Sequence, residues 1–301
     1  MIYDIIIIGG GPAGLTAALY AKRANKSVLI IEKSAYGGQI TYSPKVENIP
    51  GFNVVSGNEF AEKLVEQVVE QGAELEFCEV LSVENGDVKK VVTDGGVFEA
   101  KAIIIATGAK HRRLNLENED KFIGEGISFC AVCDGAFFKD QTVGVVGGGN
   151  SALQEALQLA ELCKKVYVIQ NLDFLTGEGK LCEQVNAKDN IEVILGTTVS
   201  ALLGDDAFAG VTLCKTADNS TTDLALDGLF VAIGLIPQNE AFANILTLDE
   251  RGYAAYGEDC TTEKNGIFVA GDCRQKSIRQ VATAAADGAV AALAACRYLD
   301  N

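Results

Sequence analysis

Residues 4–33 read DIIIIGGGPAGLTAALYAKRANKSVLIIEK, and residues 142–171 read TVGVVGGGNSALQEALQLAELCKKVYVIQN. The two stretches superimpose without a gap. Each opens with an apolar run, passes through a glycine triplet and enters an Ala/Leu-rich amphipathic segment. Each then crosses a short polar turn into a second apolar run. That is a βαβ unit written twice. Two further segments repeat the pattern's close: Ile103-Ile104-Ile105-Ala106-Thr107-Gly108 and Leu229-Phe230-Val231-Ala232-Ile233-Gly234. Both read as buried strands ending on a small-residue turn. A last strand and turn, Gly266 to Asp272, precede an Ala-rich helix from about Val281 to Leu299. This tail has no counterpart after the second repeat, so it is expected to return to the first domain.

The expected fold is therefore α/β, with two Rossmann-like, three-layer (β/β/α) nucleotide-binding domains, the second inserted into the first. The crossings fall near Ala109–Asn118 and Gly234–Glu240, where Gly, Pro, basic and amide residues cluster. The predicted domains are 1–110 with 238–301, and 111–237.

At 301 residues and 48% hydrophobic content the chain can bury two cores. A net charge of −16 argues against a nucleic-acid partner, since phosphate binding needs a basic surface. No run of 18 apolar residues predicts a membrane span, and Met1 leads almost at once into a strand rather than a secretory signal. A cytoplasmic protein is expected. Seven of the nine cysteines are isolated and read as reduced, buried thiols. Cys130 and Cys133 are the exception.

Gly9-Gly10-Gly11-Pro12-Ala13-Gly14 follows a strand, opens a helix and has Glu32 at the end of the next strand. That context turns a weak glycine motif into a dinucleotide fingerprint. Gly9 makes the tight turn, Gly11 admits a pyrophosphate at the helix N-terminus, and Glu32 can accept hydrogen bonds from a ribose diol. The second loop, Gly147 to Ala152, has the GxGxxA form, but Gln170 and Asn171 stand where Glu32 and Lys33 stand in the first. NAD selection asks for a carboxylate there and NADP selection for nearby arginines. The acid is not in place, no Arg or Lys occurs before Lys180, and Asp173 falls three residues late. The second fold is read as retained and its nucleotide chemistry as lost.

Cys130-Ala131-Val132-Cys133 immediately precedes the second repeat. Two thiols so spaced can cycle between dithiol and disulfide. A zinc half-site is a rival reading, but it needs two further ligands and the chain has one histidine, His111. Inert structural thiols are the other rival. Asp134 beside the pair can serve as a general acid-base group, or simply as a turn former ahead of Gly135.

Together these residues resemble the low-molecular-weight thioredoxin reductases, over essentially the whole chain. The likeness rests on the first glycine loop, Gly37-Gly38-Gln39, Val46 to Gly51, Ala106-Thr107-Gly108, Cys130 to Gly135, the second loop, Gly271-Asp272 and Arg279-Gln280-Val281. It implies FAD on the first domain. Gly9, Gly11, Pro12, Ala13 and Gly14 would hold the pyrophosphate and Glu32 the adenosine ribose. Gly38, Gln39 and Asn48 would sit near the flavin, Asp272 would hold the ribityl chain, and Gln280 and Val281 would lie near the isoalloxazine. Ala106, Thr107, Gly108, Gly271 and Arg279 join the expected cofactor site. The resemblance also implies a homodimer, thioredoxin as substrate, and a Cys133 sulfur nearer the flavin with Cys130 attacking substrate.

One departure stands out. NADPH-dependent members carry His-Arg-Arg where this chain has Gln170-Asn171-Leu172. The chain looks most similar to the ferredoxin-dependent flavin thioredoxin reductases, which share this loss. Reduced ferredoxin is the expected donor, with Lys110-His111-Arg112-Arg113 or Arg274, Lys276 and Arg279 as basic docking patches. An NAD(P)H-dependent enzyme with an atypical nucleotide site and a non-enzymatic flavin/disulfide sensor are the alternatives.

Overall fold

The computed structural model describes residues 1–43 and 45–301. The chain divides into two compact units, Met1–Lys110 with Ile236–Asn301, and His111–Leu235.

In the first unit, among the described residues, seven strands form one sheet. Ile2–Ile8 lies at its centre, flanked in parallel by Val28–Glu32 and by the C-terminal half of Gly96–Ile105. The Ile5–Ile8 and Ile103–Ile105 runs are continuous apolar strands because both faces of a parallel sheet are covered. Val80–Glu84, Lys89–Thr93 and Gly96–Ile105 form an antiparallel meander. Ile267–Val269 adds in parallel to the edge of Gly96–Ile105, so the tail does return to this sheet. Helix Val281–Asp300 then crosses helix Pro12–Arg23 at very short range: a Cβ on Gly288 would stand 2.1 Å from the Ala13 carbonyl oxygen.

The second unit repeats the plan at smaller size. A parallel sheet runs Ile191–Ile194, Lys165–Ile169, Thr142–Val146, Gly228–Val231, Ile127–Ser128. An antiparallel sheet of Thr197–Leu203, Gly210–Lys215 and Thr221–Ala225 accompanies it. Helix Asn150–Ala160 follows the glycine loop and buries Ala152, Leu153, Ala156 and Leu159. Among the described residues, no helix is long and apolar enough to cross a membrane.

Candidate active site

In the first unit the glycine loop is pressed onto the end of the central strands. Gly9 has φ +111°, and a Cβ there would lie 2.3 Å from the Ala106 carbonyl oxygen. A Cβ on Gly14 would lie 1.9 Å from the Gly9 carbonyl oxygen. Side chains are excluded at both positions, so the backbone itself faces any ligand. Gly11 starts helix Pro12–Arg23 without a side-chain cap, which leaves N-terminal amides for an anion. Glu32 closes the loop: its Oε2 accepts the Gly10 N–H at 2.8 Å, and its Oε1 accepts the Ser34 N–H at 2.9 Å.

A cavity of about 370 Å³ opens there. It is lined by Gly9, Gly11, Pro12, Ala13, Glu32, Gly38, Gln39, Ala106, Thr107, Gly108, Asp272, Gln280 and Val281. Gly14 and Gly271 are not in the lining; they pack against it, a Cβ on Gly271 standing 2.8 Å from the Ala13 Cβ. Asn48 is not in the lining; its Nδ2 donates to Gln280 Oε1 at 3.2 Å. Arg279 lies outside as well, donating to the Asp272 and Arg274 carbonyls and resting 4.3 Å from the Tyr253 ring centroid. Two walls were not read from the sequence: Cys78 to Val80, and Gln238 to Phe242 except Asn239. Asn239 ties these parts together. It is buried, meets Thr107 Oγ1 at 3.3 Å and donates to the Cys273 carbonyl at 2.8 Å.

Asp272 reaches the cavity with an enclosed Oδ1 that has no hydrogen-bond partner among the described residues, with Lys276 Nζ 3.7 Å away. Burial pushes its carboxyl above the ordinary range, against the pull of Lys276 and Arg279. A ligand hydroxyl would satisfy that oxygen.

The basic residues beside it are not a surface patch, which corrects one expected docking site. Arg274 is 4% exposed and pairs with both oxygens of Asp287 at 2.8 Å. Lys276 Nζ lies 3.1 Å from Asp287 Oδ2, which also accepts the Gly271 N–H. Burial works to raise the Asp287 carboxyl, but Arg274 and Lys276 overcome it and hold it below its usual range. These cations are spent inside the fold, and Arg274→Glu or Lys276→Glu would test stability rather than docking.

In the second unit the loop has the same backbone. Gly147 has φ +131°, and a Cβ there would lie 2.6 Å from the Ala232 carbonyl oxygen. The side chain at the selecting position differs. Gln170 is buried, and its Cδ lies 2.5 Å from where a Gly148 Cβ would stand. Its Nε2 donates to the Phe174 carbonyl at 3.3 Å. The following segment folds over the loop: Thr176 and Gly177 donate to the Gly148 carbonyl at 2.8 and 2.9 Å. Asn150 then pins Glu178, accepting its N–H at 2.7 Å and donating to its Oε1 at 3.0 Å. A carboxylate thus stands near the start of the helix, where a pyrophosphate would need its charge matched.

Cys130 and Cys133 form a disulfide with Cα atoms 5.3 Å apart. Cys130 precedes the short turn Ala131–Asp134, and its Sγ accepts the Cys133 N–H at 3.2 Å. Ser128 Oγ accepts the Cys130 N–H and donates to Asp134 Oδ2 at 2.5 Å. Asp134 Oδ1 is enclosed without a hydrogen-bond partner among the described residues, and burial raises the carboxyl against the lowering effect of Ser128. The structure therefore gathers Cys130, Cys133 and Asp134 on one turn, with Val132 exposed between the sulfurs. His111 stacks on Phe129 at 4.8 Å, and burial pushes its pKa down to about 4. It is neutral at pH 7, and Arg113 pairs with Asp120, so the 110–113 run keeps only Lys110 and Arg112 as exposed cations.

The family described as pyridine nucleotide-disulphide oxidoreductase matches residues 3–288. A thioredoxin reductase of Listeria monocytogenes is 41% identical over 302 aligned positions, spanning 100% of this chain and 95% of that protein. The crystal structure of thioredoxin reductase from Streptococcus pyogenes superimposes with a TM-score of 0.95 at 41% identity, covering 99% of this chain and 98% of that one. Thioredoxin reductase from Giardia duodenalis gives a TM-score of 0.93 at 34% identity, covering 99% of both chains.

Proposed function

Because the chain belongs to the pyridine nucleotide-disulphide oxidoreductases, and within them to the thioredoxin reductases, we propose that it passes electrons through FAD and the Cys130–Cys133 disulfide to thioredoxin, and that reduced ferredoxin supplies them. The residues of the first unit fit FAD. Gly9 and Gly11 to Gly14 would hold the pyrophosphate, and Glu32 the adenosine ribose. Asp272 Oδ1, which has Lys276 Nζ at 3.7 Å but no hydrogen-bond partner among the described residues, suits a ribityl hydroxyl. Gly38, Gln39, Gln280 and Val281 would flank the ring system. When bound, FAD supplies a centre that accepts electrons singly or in pairs and releases a pair.

The protein's own thiols do the rest. Two electrons and two protons convert the Cys130–Cys133 disulfide to two thiols. One sulfur, deprotonated, attacks the disulfide of thioredoxin and forms a mixed disulfide, expelling a thiolate. The second sulfur attacks the first, which restores the Cys130–Cys133 bond and leaves thioredoxin with two thiols. By family likeness Cys130 is the attacking sulfur. Asp134, raised by burial and held by Ser128, stores and returns the proton at the sulfur that leaves. A homodimer accompanies this assignment in the family.

Gln170 carries the choice of donor. It fills the selecting position with a buried amide packed against Gly148 and donating to the Phe174 carbonyl, and it offers no carboxylate and no cation. A nicotinamide donor must bind and stack its ring to deliver a hydride. A flavin filled by single electrons needs only a docked carrier. The test is thioredoxin reduction under strict anaerobiosis with reduced ferredoxin, NADPH and NADH in turn. Turnover with ferredoxin and none with the nucleotides is expected. Efficient turnover with NADPH or NADH and none with ferredoxin overturns the donor assignment and leaves the reductase.

A further inference from the structure

The redox turn is gripped by one helix. Glu155 and Gln158 lie three apart on Asn150–Ala160, a spacing that sets both on one face. Ala131, the residue after Cys130, is 1% exposed and sits between them. The Glu155 carboxylate accepts the Ala131 N–H, and Gln158 Nε2 donates to the Ala131 carbonyl at 3.4 Å. Both backbone groups of the first residue between the cysteines are thus held by side chains of a single helix. The grip is lopsided: Glu155 Oε2 is enclosed and has no hydrogen-bond partner among the described residues.

We propose that Glu155 is a positioning residue for the dithiol, acting through the Ala131 amide to set how readily Cys130 ionises. The amide it engages is the one bonded to Cys130 itself. An ionised Glu155 places a negative charge on the amide that follows Cys130, whose sulfur must become negative to attack, and so opposes the thiolate; a protonated Glu155 does not. Its free Oε2 is a place for that proton. Burial, opposed by the Ala131 amide, lifts the Glu155 carboxyl to about 7, with no contribution from a charged neighbour. The titratable groups on the elements packed against its helix are Asp134 and the two cysteines, then Lys180, Cys182 and Glu183 on Gly179–Asn186, and Lys165 and Tyr167 on the adjoining strand. Glu161 follows on its own chain. Ionisation of Glu155 and ionisation of the Cys130 thiol therefore oppose one another.

This role rests on the reading of Cys130 and Cys133 as the exchanging pair, but its test needs neither thioredoxin nor an electron donor. The reduced holoprotein is alkylated with iodoacetamide across pH 5–10, and modification is followed by mass spectrometry at the peptide carrying Cys130 and Cys133. Glu155→Gln keeps an acceptor for the Ala131 N–H and removes the charge. It is expected to shift the Cys130 profile about one pH unit lower, roughly a tenfold faster reaction at neutral pH. Glu155→Asp should restore the wild-type profile, and FAD content should not change. A Glu155→Gln profile that superimposes on wild type overturns the proposal. Should that variant fail to fold, the wild-type profile decides: two steps, one near pH 7, support the role, and a single step overturns it. Loss of thioredoxin turnover with the shift intact would count against the assigned substrate alone.

Discussion

The two glycine loops have one backbone and two chemistries. Each follows a parallel strand, turns at a glycine with φ above +100°, and receives an N–H from the next segment at 2.8 Å: Gly37 onto the Gly10 carbonyl, Thr176 onto the Gly148 carbonyl. At the end of the second strand they part. The Glu32 carboxylate accepts the N–H of Gly10 in its loop, whereas the Gln170 amide, packed against Gly148, donates to the Phe174 carbonyl. The glycines set the shape of such a loop, and the residue at the strand end sets what it can hold. A fold can therefore keep the first and lose the second, because packing depends on the backbone and selection on one side chain.

The third loop position gives the largest contrast. Gly14→Ala would drive a Cβ to 1.9 Å from the Gly9 oxygen, while Ala152 already occupies that place in the second loop. Gly14→Ala should cost upward of about 3 kcal/mol and abolish flavin retention. Ala152→Gly should cost about 1 kcal/mol, the ordinary helix penalty. Urea unfolding with flavin absorbance measures both, and equal tolerance of the two changes would break the comparison.

Acid separates the units next. In the second unit His111 falls to about 4 from an unfolded value near 6.5, so its contribution, present above about pH 6.5, is lost as pH drops through about 4. Glu155 has the opposite sign: raised to about 7, it contributes fully below about pH 4.5 and is lost as pH rises through 7. Each is worth about 3 kcal/mol, and in the wild type they largely offset. His111→Phe should leave a second unit that gains stability from pH 7 to 4.5, and Glu155→Gln one that loses it. In the first unit the depressed Asp287 keeps its contribution until pH falls below the ordinary carboxylate range. Melting curves of the two variants at pH 7.5 and 4.5 with the same slope would contradict this.

The smallest effect sharpens the selector itself. Glu32→Gln should weaken FAD about 10- to 100-fold, the loss expected for hydrogen bonds to a charged acceptor. Gln170→Glu should leave FAD affinity unchanged. Equilibrium titration of the apoprotein with FAD reads both.

Much of this was legible in the residues. Unbroken Ile and Val runs mark parallel strands, the two loops carry their own spacing, and Asp134 stands next to its sulfur. Other features depended on chain brought from far away. Arg274 and Lys276 read as surface charge because their partner Asp287 lies on a helix that begins seven residues after Arg274. The Cys78 to Val80 wall belongs to a meander with no motif of its own. Asn239 is one amide in an irregular segment. Glu155 leaves a trace in the sequence: it falls three residues after Ala152, beside the buried face of its helix, where a carboxylate needs a reason.

The contact of Gly288 with Ala13 fixes an order of events on the ribosome. The first helix and the last meet at backbone range, so the earliest glycine loop stays without its covering helix until the final stretch has been made. The second unit is contiguous, His111–Leu235, and has all its strands once Leu235 emerges. At about 5–20 residues per second, several seconds of synthesis separate the two. The unit that starts the chain is the one that finishes folding, and in that interval its Ile-rich central strands are what a nascent-chain chaperone would meet.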